Sequence, residues 1–395
     1  MSAQDECIDA MATTTSAPTR FTIAGDGIAG RAMALGLARA GFTATIIAPD
    51  ADTAIEGGVQ LAPNSWAALQ HLQVDDAARD GAVPLSLMRM LSINTGHSLV
   101  QLGLNDRPRR SPYTSMTRAH LMACLRDAAT ATGQVSWINA SLAEATTSNG
   151  RAQCTLDDGT THNSDWLIGA DSLNGACRHY VEAQDASAIP PDLIARRVAF
   201  RMVVASAELP PRFATRASTV WLGDGGHVVH YPLADGTVNI VAVVAQSPSA
   251  RARVKRMLGA HASLTPLIPH LDGAREQPLF DHLHLDTYQR GRVVLAGDAA
   301  HPMPPHLAQG AGQSLIDAAS LSQQLSRLEA DDDLAPVFTR WTAERVRAIR
   351  SIRASADRAG AMFAMSGPMA RLRNLGLSTF GGPMLERQLD ELWSS

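Results

Sequence analysis

A chain of 395 residues, 45% hydrophobic and 18% charged, has the composition of a soluble globular protein long enough for two or three domains. Its 34 Lys and Arg against 38 Asp and Glu leave a net charge of −4, which excludes a global field for nucleic acid or an anionic membrane. No apolar run approaches the ~20 residues that span a bilayer, so no integral membrane segment is expected.

Residues 1–19 read as a disordered leader, because they lack the basic start and apolar stretch of a signal peptide; a start at Met11 is compatible with this. Cys7, Cys124, Cys154 and Cys177 lie far apart without a CxxC pair, which argues against a zinc site or a disulfide framework and suits a reducing, cytoplasmic compartment. Phe21-Thr22-Ile23-Ala24 predicts a strand, followed by Gly25-x-Gly27-x-x-Gly30, an Ala/Leu-rich helix to Ala40, and a second strand from Thr43 to Ile47. In that βαβ setting the three glycines point to a dinucleotide, whose pyrophosphate approaches the bare helix start. The acid expected at the end of the second strand is Ala48, and Asp50 stands two residues on, ~6–7 Å further along on the same side of an extended backbone.

A glycine-led loop from Glu56 precedes a short helix, Ser65 to Leu72, with Asn64 as its expected cap. Arg118 opens an amphipathic helix to about Thr132. From Val135 to Thr161 the segments separated by Asn149-Gly150 and Asp157-Asp158-Gly159 read as hairpins, after which Asp165 to Asp171 forms a buried strand ending in an acid. Between about Pro190 and Tyr288, strand-like runs broken by Pro and Gly predict an antiparallel sheet in a second domain. Val293-Val294-Leu295-Ala296-Gly297-Asp298 then reads as strand and ligand loop, and Gln309-Gly310-Ala311-Gly312 as a bare helix start whose N–H groups face an electron-rich group. Helical patterns follow over Gln313–Leu328, Pro336–Ala359 and the tail, and Arg345, Arg347, Arg350, Arg353 and Arg358 read as a solvated basic face.

Three ordered segments, Gly25-x-Gly27-x-x-Gly30, Gly169-Ala170-Asp171 and Gly297-Asp298-Ala299-Ala300-His301 with Pro305 and Gly310, make the chain similar to the single-component FAD-dependent aromatic hydroxylases of the p-hydroxybenzoate hydroxylase type. The likeness runs from about Phe21 to Asp357. His301-Pro302-Met303, Pro305 and Leu307 to Ala311 resemble the salicylate hydroxylase and 6-hydroxynicotinate 3-monooxygenase branch. The implied fold class is α/β. A Rossmann-like FAD-binding domain (20–189 and 286–360) carries an inserted, mainly antiparallel substrate domain (190–285), and a helical tail (361–395) follows.

The resemblance implies that Gly25, Gly27 and Gly30 hold the FAD pyrophosphate, that Arg118 contacts a flavin-side phosphate or the ribitol, and that Gly297-Asp298 binds the ribitol. It also implies that Gly310 and Ala311 face the isoalloxazine, that Pro305 lies at the flavin edge, and that Asp171 serves FAD and NAD(P)H. Asp50 is the candidate to replace the missing ribose acid. The implied reaction uses NADH or NADPH and O2 to hydroxylate a phenol-, benzoate-, pyridine- or quinoline-like ring through a flavin hydroperoxide. NAD(P)H binds transiently, since the chain has one GxGxxG. A neutral His or a Tyr relay would take the substrate hydroxyl proton. His306, after Pro305, and His227 with Tyr231, four apart on one strand face, are the candidates; His230 faces the other way. His282 and His284 lack a third metal ligand. The family's Asp-Gly is Asp171-Ser172 here, its later Ser is Gly175, and the acid before Asp317 is Ile316. A flavin-dependent dehydrogenase or oxidase, or a degenerate member that does not hold FAD, remain the alternatives, and the chain is expected as a monomer or homodimer.

Overall fold

The computed structural model describes residues 20–50, 57–104, 111–183, 195–280, 285–303, 305–329 and 332–393. The leader and the pair His282 and His284 lie outside them. The helices are α1 (Ile28–Arg39), α2 (Pro63–His71), α3 (Asp75–Asp80), α4 (Arg118–Ala131), α5 (Ala176–Glu182), α6 (Ala250–Gly259), α7 (Gly310–Leu325), α8 (Ala335–Phe363) and α9 (Gly367–Trp393).

The strands Val293–Leu295, Trp166–Gly169, Arg20–Ala24, Thr43–Ala48 and Val135–Asn139 lie side by side and parallel, with Gln289–Arg290 antiparallel at one edge. These strands read as nearly continuous apolar runs because both faces are covered. On one face Ile23, Ile46 and Ile168 bury against α1, α4 and α7, and Trp166 stacks on Phe338 of α8 at 4.1 Å. On the other, Ile47, Leu167 and Leu295 meet α5 and the hairpin strands Leu142–Ser148 and Arg151–Leu156. Of the expected hairpins only the segments after Leu142 form them. Val135–Asn139 instead joins the parallel sheet beside Thr43–Ala48, since α4 returns the chain to that edge as a crossover connection does. The Asn149-Gly150 turn has both residues at positive φ, +50° and +73°, as a tight hairpin requires.

A seven-stranded sheet runs Arg275–Leu279, Arg197–Ala205, Thr237–Ala245, Gly226–Pro232, Ala217–Leu222, Leu87–Ser92, Ser98–Gly103. Two of its strands come from residues 87–103, so the sheet is not built from 190–285 alone. Alternation gives it two distinct faces. Val198, Phe200, Met202, Val228, Ile240 and Ala242 form an apolar core with α6 and Phe213. The intervening positions turn to the opposite side, where Arg197, Arg201, His227, Tyr231 and Asn239 lie with a smaller apolar cluster of Ala199, Val241, Val243 and Leu279.

Two local expectations change. α2 starts at Pro63 with Ala62 as the capping residue, because Pro at a first helical position needs no N–H partner; Asn64 Oδ1 accepts from the adjacent Ser65 N at 2.9 Å instead. In α8, Arg347, Arg350 and Arg358 are solvated, but Arg345 is buried and bonded to Asp317.

Ser172 (φ +69°) and Ala308 (φ +53°) hold left-handed backbone that favours glycine. Ser172→Gly and Ala308→Gly are each expected to stabilise the protein by about 0.5–1 kcal/mol, net of glycine's entropy cost, read as a raised Tm in the flavin-free protein. An unchanged or lowered Tm would show that neighbouring contacts already offset the strain.

Candidate active site

The three ordered segments meet through backbone contacts that exclude a side chain. Gly25 has φ +104°, its N donates to Ile47 O at 2.8 Å, and a Cβ there would lie 2.3 Å from Ala170 O. A Cβ on Gly30 would lie 1.8 Å from Gly25 O, and one on Gly297 2.5 Å from Ala29 Cβ. The loop after the first strand is thus pressed against Ala170-Asp171 on one side and Gly297-Asp298 on the other. Gly27 differs, since a Cβ there meets nothing within 4 Å. It is the N-cap of α1 and supplies no side-chain cap, so the first-turn N–H groups have no capping side chain, and the space beside Gly27 is open.

Gly310 repeats this arrangement. It begins α7 after Gln309, which gives no side-chain cap, and a Cβ on Gly310 also meets nothing within 4 Å. Ala311 is the next residue of that open turn. Asp298 is exposed, and both Arg118, at the start of α4, and Arg201 lie within its electrostatic reach. Arg118 N donates to Gly57 O at 2.9 Å, tying α4 to the Gly57-Gly58 loop.

Asp171 is turned inward as a helix cap. Its Oδ2 accepts from Cys177 N at 2.8 Å at the start of α5, and Gly175 leaves the room, since a Cβ there would fall 1.9 Å from Asp171 Cγ. Burial pushes this carboxyl above the usual range, against the hydrogen bond from Cys177 N. The Gly175 departure therefore has a structural context: the glycine stands where the carboxylate folds back. Arg178 of α5 donates from Nη1 to Ala299 O at 2.7 Å and pairs with Glu182 at 2.6 Å, joining the second segment to the third.

Asp50 sits past the end of the second strand, exposed at the same edge as Gly25. Its N donates to Asn139 Oδ1 at 2.8 Å and its Oδ2 accepts from Asn139 Nδ2 at 2.6 Å. Within the glycine loop itself, Asp26 pairs with Arg31 at 2.5 Å and with Arg126 at 3.5 Å.

The second cluster forms where the polar face of the seven-stranded sheet meets α8 and the loop into α7. The His227 and His306 rings are 5.4 Å apart, and Phe363 lies 4.8 Å from His227 and 5.8 Å from His306. Arg197 Nη1 donates to His306 Nε2 at 2.7 Å, so the ring proton of a neutral His306 is on Nδ1. Pro305 and His306 share the short turn Pro305–Leu307 before Gly310. Burial, then His306, Arg197 and Arg373, hold His227 well below the usual histidine range, and it is neutral at physiological pH. Tyr231, on the same strand face, lies beside Asn239, Gln60 and Arg201; burial raises its phenol, which stays protonated. His230 turns to the apolar core against Phe213 at 4.5 Å, where burial and then Arg89 lower it to about 3. Arg197, Arg201 and Asn139 carried no motif in the sequence, and Asp317 entered it only as the family position after Ile316; the even spacing of Arg197 and Arg201 against the apolar positions is the signal that finds those two.

The FAD binding domain family matches residues 19–352. The 3-hydroxybenzoate 6-hydroxylase 1 of Aquipseudomonas alcaligenes is 31% identical over 84% of this chain and 85% of its own. A 3-amino-4-hydroxybenzoate 2-monooxygenase of Streptomyces platensis is 30% identical over 95% of each chain. In fold, the chain matches Klebsiella pneumoniae HpxO complexed with FAD and uric acid with TM-score 0.81 at 20% identity, over 95% of this chain and 96% of that one. The residues present fit FAD: two helix N-termini without side-chain caps, two glycines opening on free space, and an exposed Asp298 at the junction of the segments.

Gly27→Val is expected to leave the flavin-free Tm near wild type while weakening FAD binding at least about tenfold, since its side chain enters the open space a pyrophosphate needs. Gly30→Ala should lower that Tm, because its methyl group overlaps Gly25 O. Tight FAD binding by Gly27→Val would overturn the assignment. Below pH 6.5 the unfolded chain protonates His227 and His230 while the native state keeps them neutral, so native stability falls as pH drops from 6.5 to 5, by up to about 1.4 kcal/mol per pH unit for each. Urea unfolding at the two pH values should show a smaller loss in His230→Leu; an equal loss would place the uptake elsewhere. By its sequence the chain belongs to the FAD binding domain family and is an FAD-dependent aromatic-ring monooxygenase.

Proposed function

We propose that the protein uses NADH or NADPH and O2 to hydroxylate a small aromatic acid carrying a ring hydroxyl or amino group, at the polar face of the seven-stranded sheet opposite the start of α7. One observation carries this reading: Arg197, Arg201, His227 and Tyr231 share that face, a pair of fixed cations beside two neutral proton carriers. The relatives named for hydroxybenzoate and aminohydroxybenzoate act on acids of this kind. Bound FAD supplies hydride acceptance from the nicotinamide and activation of oxygen. Gly25, Gly27 and Gly30 receive its pyrophosphate, Asp298 and Arg118 its ribitol and flavin-side phosphate, Gly310 and Ala311 its ring system, and Asp50 with Asn139 its adenosine end.

The chain's own part is orientation and proton management. Arg197 and Arg201 attract the carboxylate. Neutral His227 accepts the proton of the ring hydroxyl, which makes the ring nucleophilic. His306, with Nε2 held by Arg197, offers its Nδ1 proton as a donor. Phe363 and Pro305 keep water from the reacting edge, which limits loss of oxygen as peroxide. Tyr231 orients the substrate from the Arg201 end. The working protein is a cytoplasmic monomer or homodimer, in keeping with Cys124, Cys154 and Cys177 as unpaired buried thiols. Among the described residues, no helix is long and apolar enough to cross a membrane.

The test follows NADH and NADPH oxidation, O2 uptake and product mass across hydroxybenzoates, aminohydroxybenzoates and hydroxypyridine carboxylates, with the matching methyl esters. Acids should stimulate turnover and gain one oxygen, while esters bind at least about tenfold more weakly through loss of a charge-assisted hydrogen bond. His227→Gln should cut hydroxylation more than NAD(P)H oxidation. Equal turnover of acid and ester would remove the carboxylate assignment, and oxygen-independent transfer to an acceptor dye would replace the hydroxylase reading with a dehydrogenase.

A further inference from the structure

Behind the cofactor segments lies a buried polar chain that ties them to Gln313 and Arg345, two residues outside every motif. Asp317, in α7 and 1% exposed, accepts on Oδ2 from Gly297 N at 2.9 Å and from His301 Nε2 at 2.7 Å. Its Oδ1 accepts from Arg345 Nε, in α8, at 2.6 Å. Arg345 Nη2 donates to Gln313 Oε1 at 2.6 Å, and Gln313 Nε2 donates to Gln309 Oε1 at 3.1 Å. One guanidinium thus reaches the residue before Asp298 through Asp317, and the residue before Gly310 through Gln313. Burial works against ionisation of Asp317, but His301 and Arg345 outweigh it and hold the carboxyl at about 2. A planar fork that bonds two acceptors at once suits arginine and not lysine.

We propose that Arg345 is a positioning residue for FAD: acting through Asp317 and Gln313, it fixes Gly297-Asp298 and Gln309-Gly310 in the relative arrangement that receives the ribitol and the ring system. It does not touch the cofactor itself. The proposal rests on the assignment of those two segments to FAD. The distinction from a simple clamp between α7 and α8 is physical. A clamp stabilises the flavin-free and flavin-bound protein equally, whereas a positioning network adds to the affinity for FAD. Ala308, held at φ +53° one residue before Gln309, makes that loop a strained segment needing an anchor at its end.

The experiment removes flavin from the full chain and titrates FAD by fluorescence quenching, recording the visible spectrum of the bound flavin and the Tm with and without FAD. Arg345→Met is expected to raise the Kd for FAD at least about tenfold and shift the bound spectrum; Arg345→Lys, which keeps the charge beside Asp317 without the fork, falls between. Gln313→Leu spares the Asp317 pair, cuts only the arm to Gln309, and should weaken FAD about threefold with a spectral shift. An Arg345→Met protein with a lowered flavin-free Tm but wild-type Kd and spectrum overturns the proposal. Where that variant does not fold, a wild-type Kd and spectrum in Gln313→Leu overturns it. Asp298→Ala separates the two levels. Unchanged FAD affinity there removes the cofactor assignment itself, while weakened Asp298→Ala beside unaltered Arg345 and Gln313 variants removes the positioning role alone.

Discussion

Everything in this site depends on three stretches of backbone approaching closer than any side chain allows. Gly25 against Ala170, Gly30 against Gly25 and Gly297 against Ala29 leave no room for a methyl group, so segments more than a hundred residues apart are locked at one edge of the parallel sheet. The consequence is electrostatic. Two helices, α1 and α7, start at that edge without side-chain caps, and unsatisfied N–H groups with their positive helix ends converge on one region. A dinucleotide with an electron-rich ring at its far end suits both ends of such a field at once. The glycines at Gly27 and Gly310 serve differently: nothing within the protein crowds them, and their bareness matters for what comes from outside.

The seven-stranded sheet supplies the second half of the chemistry through strict alternation. Its apolar face needs no functional explanation, being filled by α6 and Phe213. On the other face the polar residues carry charge of one sign, and burial with Arg197 nearby keeps His227 neutral. His230 proves the point by contrast. It has the same strand and the same burial, but at odd spacing it points into the core, with Phe213 as its ring partner.

Much of this was legible in the chain. The βαβ start, the ordered motifs, the sheet of broken β-runs and the pairing of His227 with Tyr231 follow from period and spacing, which local sequence records directly. What escaped was set by partners far away in the chain. Val135–Asn139 has the alternation of a hairpin strand, and only the crossover through α4 sends it to the parallel sheet. Arg345 lies among arginines that face solvent, and nothing local separates it from them; a carboxylate 28 residues earlier draws it inward. Ser172 and Gly175 read as losses when each is set against a motif. In three dimensions Ser172 keeps the left-handed backbone a glycine would favour, while Gly175 makes room for Asp171 to fold back and cap α5.

That event changes how the second segment works. With Asp171 committed to Cys177 N, the link between the second and third segments falls to Arg178, whose bond to Ala299 O acts on the residue after Asp298. Asp317 acts on the residue before it. Asp298 is therefore held from both sides by buried groups while its own carboxylate is left exposed, the arrangement that spares a ligand-binding acid from ordering itself when the ligand arrives. The departures at Ser172 and Gly175 thus fall on groups that support the backbone; the one at Ala48 removes an acid that would meet the ribose, and Asp50, held by Asn139 at the same edge, is the carboxylate left there, so the chain still builds a site that fits the cofactor.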